Sequence, residues 1–209
     1  MNENITKRNE LLVQKVIKGL ESRNMTGYYA KNKAAALEQA LQLIPEGSTC
    51  TMGGGMSVFE IGLVDVLKKG DYNFIDRDAA EDRRAAMLQA YDADVFLASC
   101  NAITEDGMLV NIDGNANRVS CIAYGPKKVV FIVGMNKIAA DLDAAMKRAR
   151  NVAAPINAQR FGGVTPCTKT GACGDCKSPD TICCQFLVTR YSRHDDRIHV
   201  ILVNDNLGF

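Results

Sequence analysis

Residues 94–134, DVFLASCNAITEDGMLVNIDGNANRVSCIAYGPKKVVFIVG, begin with one short apolar run (95–98) and end with another (129–133). Both runs are rich in Val, Phe and Ile and bounded by polar residues or Gly, the pattern of strands buried on both faces. The segment between them is too polar for a core. It carries Thr104, Glu105, Asp106, Asn111, Asp113, Asn115, Asn117 and Arg118, with Gly107 and Gly114 as hinges. Acids, amides and an Arg beyond the carboxyl end of a buried strand fit a ligand site in an open α/β sheet. The plainer alternative is a polar β-hairpin turning at Glu105-Asp106-Gly107. One hairpin has no need of so many amides and an Arg, so the site reading is preferred.

Composition sets the limits. A chain of 209 residues suffices for one α/β domain with a good core, or a domain plus a small appendage. With net charge +1, no basic block and no Trp, nucleic-acid binding has no support. The apolar stretches fall far short of the roughly 20 residues needed to span a bilayer. Residues 1–8 are polar with no apolar run behind them, so no signal peptide is expected and the cytoplasm is the expected compartment.

Working outward toward the N-terminus, Val13, Val16, Ile17 and Leu20 have the spacing of an amphipathic helix, and Gly27 allows a turn. This helical arm (about 1–28) either opens the domain or packs on a partner subunit. A second helix runs through Leu37, Ala40, Leu41 and Ile44 until Pro45 and Gly47 stop it. Residues 48–52 are a strand that Gly53, Gly54 and Gly55 turn into a helix carrying Phe59, Leu63 and Val66. Ser57 and Glu60 have capping-box spacing, a device typically worth about 1 kcal/mol. A glycine turn before a helix also leaves backbone N–H groups able to meet an anion. Residues 71–76 are the next strand. The mixed-charge run from Asp76 to Arg84 is read as a solvated helix face.

Toward the C-terminus, Asn136 is expected to cap a helix through Ile138, Leu142 and Met146. Lys137, near a strand end, is placed to meet an anionic ligand, but the preferred expectation is a solvent-facing side chain. The Cys-rich insert (about 163–184) reads Cys167-x5-Cys173-x2-Cys176-x6-Cys183-Cys184, held in turns by Pro and Gly. Four thiolates suit tetrahedral Zn or an iron–sulfur cluster. Free thiols and a redox disulfide between Cys173 and Cys176 remain alternatives. Cys50, Cys100 and Cys121 read as small buried hydrophobes. Alternating apolar residues in 185–191 and 197–203 indicate a C-terminal antiparallel hairpin. Neither His194 nor His199 has the partners of a nucleophilic triad.

Three separated motifs carry a family resemblance: TMGGGMSVFEIGL (51–63), TEDGMLVNIDGNANRV with YGPKKVVFIVGMNKI (104–138), and PCTKTGACGDCKSPDTICC (166–184). Together they resemble the lactate-utilisation (LUD) domain family from about Ala34 onward. The resemblance implies a Rossmann-like, open, mostly parallel sheet of the ribose-5-phosphate isomerase, glucosamine-6-phosphate deaminase and CoA-transferase type. It implies that the Gly53–55 loop takes phosphate or carboxylate, and that the setting is bacterial lactate oxidation, which favours iron–sulfur over Zn. Cys183 matches a family Cys, whereas Cys184 stands where the family usually has Asn.

Two functions follow from these readings. One is a subunit acting in or supporting oxidation of lactate or a related small hydroxy acid, alone as a homo-oligomer or with partner subunits. In it Asp106 or Asp113 is the general base and Arg118 grips the anion. Gly53, Gly54, Gly55, Ser57, Asn111, Asn115 and Asn117 line the site, and Cys167, Cys173, Cys176 and Cys183 hold the metal. The other is a non-catalytic metabolite- or nucleotide-binding protein whose cysteine knuckle carries the metal.

Overall fold

The structure, a computed structural model, describes residues 3–209; Met1 and Asn2, the start of the expected arm, lie outside the described residues. Its strands are β1 (Thr26–Ala30), β2 (Thr49–Met52), β3 (Asn73–Ile75), β4 (Val95–Ala98) and β5 (Ala102–Thr104). They continue with β6 (Leu109–Asp113), β7 (Lys128–Gly134), β8 (Ile138–Ala139), β9 (Gln185–Thr189) and β10 (Ile198–Val203). A wholly parallel six-stranded sheet has the order β1-β10-β7-β4-β2-β3. A second sheet, β8-β5-β6-β9, is antiparallel except where β5 meets β8. This is the open, Rossmann-like α/β architecture that the buried runs of β4 and β7 foretell. Among the described residues no helix is long and apolar enough to cross a membrane.

Both faces of the parallel sheet are covered. On one, Val13, Val16 and Leu20 of the Glu3–Glu21 helix pack with Phe96, Phe131 and Val200. On the other, Ala36, Ala40, Val58, Leu63 and Leu67 pack with Leu97, Val130 and Ile201. At roughly 25 cal/mol per Å² of apolar surface, these two layers supply most of the drive to fold.

Three local expectations are corrected. Gly27 makes no turn: it lies inside β1, where a Cβ would come within 2.9 Å of Ile17 Cγ1, so glycine lets the first helix sit on the strand. The two C-terminal strands exist but do not pair with each other. β10 is buried along its whole length between β1 and β7, and β9 joins the second sheet against β6. His199 gave β10 its half-polar look; it is 1% exposed, with Tyr28 Oη at 3.1 Å and the Asp196 carbonyl at 2.9 Å. Third, the cap of the Leu142–Arg148 helix is Asp141, which accepts from Ala144 N at 2.8 Å. Asn136 instead ties down the C-terminal segment by accepting from Leu207 N at 3.1 Å.

Candidate functional site

The chain leaves β2 toward β3 on one side of the sheet and leaves β4 toward β7 on the other. Neighbouring strands with diverging exits open a crevice at their carboxyl ends. Gly53, Gly54 and Gly55 follow β2 there, and Ser99, Cys100 and Asn101 follow β4. Each glycine answers a close approach. A Cβ on Gly53 would stand 2.6 Å from Arg118 Cγ, one on Gly54 2.7 Å from Arg77 Nη2, and one on Gly55 3.3 Å from Ser99 N. Gly54 also has φ +82, a conformation that favours glycine. The loop is therefore the seat on which two arginines lie.

Arg118 belongs to the central polar stretch. Its Nη2 donates to the Ile112 carbonyl and, at 3.4 Å, to Asn101 Oδ1. Its Nε has no hydrogen-bond partner, and the nearest carboxylate oxygen, Asp113 Oδ2, is 3.6 Å away. Burial disfavours the charge on this guanidinium, and Asp113 opposes that effect. Asp113 is already occupied: it accepts from the backbone N–H groups of Asn115, Arg118 and Val119 at 3.1, 3.1 and 3.2 Å. It holds the turn into the Asn117–Ala123 helix, where Ala116 is strained at φ +61. Asn115 and Asn117 flank that strained residue, and both line the crevice.

Lys137 corrects the expectation of a solvent-facing side chain. It follows β7, is 3% exposed, and donates to Ser99 Oγ at 2.9 Å and Ser57 Oγ at 3.1 Å. Ser57 is thus no helix cap: Gly55 occupies that position, and the hydroxyl of Ser57 is buried against the amine. Burial lowers the Lys137 pKa to about 8; the charges of Arg148 and Arg118 push the same way, and Cys100 and Glu60 push back. Among the described ion pairs none includes Lys137. The sequence signal was its place directly after a buried parallel strand, where site residues gather.

The crevice encloses about 730 Å³, within the range of small-molecule sites. Arg77, Arg83, Arg118, Lys137 and Arg160 bring cations to it, against the carboxylates of Asp78, Asp113 and Asp180. Arg77 comes from the run read as a solvated face; its Nε is buried without a hydrogen bond, 3.8 Å from Asp78 Oδ1.

Three expected site residues do not line the crevice: Ser57, buried against Lys137, and two that lie elsewhere. Asp106 is at the β5–β6 turn, where it pairs with Arg23 and accepts from Thr104 Oγ1. Asn111 is fully buried behind the crevice wall and donates to the Ser99 carbonyl at 2.9 Å.

Cys167, Cys173, Cys176 and Cys183 line one pocket of about 80 Å³, and Thr181 and Ile182 belong to both this pocket and the crevice. Burial pushes the Cys183 thiol up to about 11, and the neighbouring Cys173, Cys167 and Cys176 add to it. Thiol chemistry suits Zn or iron–sulfur. As placed, however, no three His, Cys, Asp or Glu side chains among the described residues form a metal-holding group. The four thiols thus share one pocket without closed ligand geometry.

Comparison with known proteins adds three findings. The family model described as "LUD domain" matches residues 13–203. A DUF162 family protein from Deinococcus radiodurans, known from a crystal structure, is similar with a TM-score of 0.55, covering 93% of this chain and 98% of that chain at 10% sequence identity. At that identity the likeness speaks for the fold alone. Among curated proteins nothing matches.

Proposed function

The chain belongs to the LUD domain family, and from that premise we propose that its crevice binds a small anionic hydroxy or oxo acid. It does so as a subunit acting in or supporting the oxidation of lactate or a related acid. The observation that carries this reading is Arg118, a half-buried cation seated on Gly53 with its Nε buried and unbonded, in a crevice where cations outnumber carboxylates. A carboxylate gripped there replaces bonds the protein does not make itself, and charge-assisted bonds of that kind are the strong ones. Asn101, Asn115 and Asn117 supply polar groups for hydroxyl or carbonyl oxygens.

Asp113 is engaged by three backbone donors, so we assign it to positioning Arg118. Proton transfer is assigned to Lys137, whose amine near pKa 8 changes charge close to working pH. Isothermal calorimetry with lactate, pyruvate and inorganic phosphate tests the reading. The wild type should bind an acid, and Arg118→Ala should weaken it by about 10- to 100-fold, the equivalent of roughly 1.5–3 kcal/mol. Equal binding by the two proteins removes Arg118 from the site.

A second reading, a non-catalytic metabolite- or nucleotide-binding protein with a metal knuckle, rests on the four thiols that share one pocket. Elemental analysis and a visible spectrum of anaerobically purified protein decide it. Stoichiometric Zn or iron, lost in Cys173→Ser and kept in Cys184→Ser, supports the knuckle; metal-free protein with five freely reacting thiols removes it.

A further inference from the structure

We infer that Lys137 is a carbonyl-capturing amine, whose Nζ forms an imine with a small 2-oxo acid held in the crevice. This deepens the acid-binding reading and rests on it. Buried lysines are rare and normally paired with a carboxylate. Lys137 is 3% exposed, lines the crevice, and has two neutral hydroxyls as its bonding partners, Ser57 and Ser99. Hydroxyls hold an amine in place without fixing its charge, as a carboxylate would. A desolvated lysine beside other cations is the usual way to make this amine nucleophilic, and here Arg148 and Arg118 are those cations.

The same crevice offers the second half of a 2-oxo acid its partner. Arg118 lines the same crevice, donates to Asn101 Oδ1 and keeps its Nε free of hydrogen bonds, and it takes the carboxylate while Lys137 meets the adjacent carbonyl. Ser99 holds the amine in place. It accepts from Lys137 Nζ at 2.9 Å and donates to the Ile132 carbonyl at 2.7 Å, so its oxygen is fixed beside the reacting nitrogen.

The step balances without an oxidant or reductant. The ammonium gives up one proton, and the free amine adds to the carbonyl carbon to give a carbinolamine. The carbinolamine hydroxyl takes a proton and leaves as water, and a protonated imine remains. Ser99 and Ser57 are the nearest groups able to carry the proton between nitrogen and oxygen. A hydroxy acid such as lactate occupies the same crevice but has no carbonyl to capture.

The full-length protein incubated with sodium pyruvate and sodium borohydride tests the inference, with intact mass and peptide mapping as readout and calorimetry of pyruvate and lactate without reductant in parallel. The expected result is one reduced adduct, mapped to Lys137, slowed about tenfold or more in Lys137→Arg and competed by lactate. Its rate should rise through a midpoint near 8. Mapping the wild-type adduct decides the matter even if the variant folds poorly. Pyruvate that binds without an adduct on Lys137, or adducts spread over surface lysines, overturns the imine and leaves the acid-binding reading intact. No binding of either acid, and no adduct, overturns both.

Discussion

The two ends of the 104–118 stretch have much the same composition and opposite fates. At the β5–β6 turn every charge is matched: Glu105 pairs with Lys15, Asp106 with Arg23, and Thr104 Oγ1 donates to Asp106. At the crevice end, Arg118 Nε and, across the glycine loop, Arg77 Nε are buried with no hydrogen-bond partner, and Lys137 has no carboxylate. Native proteins leave few buried polar groups unpaired, and the exceptions call for an explanation. Two of the exceptions, Arg118 Nε and Arg77 Nε, belong to residues that line one crevice, whereas Asn111 Oδ1 and Thr189 Oγ1 lie outside its lining. At the turn the charges serve the scaffold, and at the crevice two cations keep donors that a ligand would satisfy.

The largest expected effect lies on the scaffold side. Gly107 has φ +89, and a Cβ there would stand 2.5 Å from Leu20 N; a Cβ on Gly19 would stand 2.4 Å from the Asp106 carbonyl carbon. Backbone meets backbone at this contact, so no side chain can yield. Gly107→Ala should cost about 3 kcal/mol or more in denaturant unfolding, while the folded fraction keeps its affinity for acids. Lost affinity at unchanged stability would mean that the turn belongs to the site.

On the crevice side, Lys137→Met should stabilise the protein at neutral pH. In the folded chain Lys137 titrates near 8, and unfolded near 10.5. Between those values the unfolded state binds the extra proton, so wild-type stability rises as pH climbs from about 8 to 10.5. Below 8 the folded protein carries the full penalty of a buried charge. Lys137→Met should therefore be more stable at pH 7, by on the order of 2 kcal/mol, with the gap closing by pH 10.5. Thermal melts across that range check it; a variant less stable at pH 7 would make Lys137 a structural residue.

Arg23 and Arg118 form a matched pair of tests. Arg23 donates to the Asp106 carbonyl at 2.6 Å and the Arg190 carbonyl at 2.9 Å, besides its ion pair with Asp106. Arg23→Ala should lose about 1–2 kcal/mol of stability and no affinity. Arg118→Ala should lose affinity first. Equal profiles for the two variants would erase the distinction between scaffold and site.

The sequence made the crevice legible through two signals, the glycines after β2 and the amides with Arg118 after β6. Both depend on local order along the chain. The position of Lys137 after a strand was legible but its burial was not, because such a lysine looks the same whether it faces water or a crevice; its hydrogen-bond partners Ser57 and Ser99 are 80 and 38 residues away. Arg77 was hidden inside a charge run in which Glu81, Asp82 and Arg84 are exposed, although Asp78 and Arg83 reach the crevice with it. Asp106 misled for the opposite reason. Its acid–glycine context is shared by turns and sites, and only the Arg23 partner, 83 residues distant, decides between them. The parallel order of β4 and β7 was readable from their unbroken apolar runs, whereas His199 disguised β10.

The smallest expected effect is at Asp106 itself. Its pKa is lowered first by the Thr104 hydroxyl and then by Arg23, with burial opposing. A carboxyl whose folded pKa is depressed contributes stability that is present above its unfolded pKa, near 4, and lost as pH falls through the folded value. The side chain is 55% exposed, so solvent screening reduces that contribution to under about 1 kcal/mol. Asp106→Asn should flatten the acid limb of the stability curve below about pH 4 and leave stability at pH 7 slightly reduced. Acid affinity should stay unchanged at every pH, because Arg23, and not a ligand, is the partner that Asp106 serves. A shift in the pH profile of ligand binding in Asp106→Asn would return this carboxylate to the site and undo the division between the two ends of the stretch.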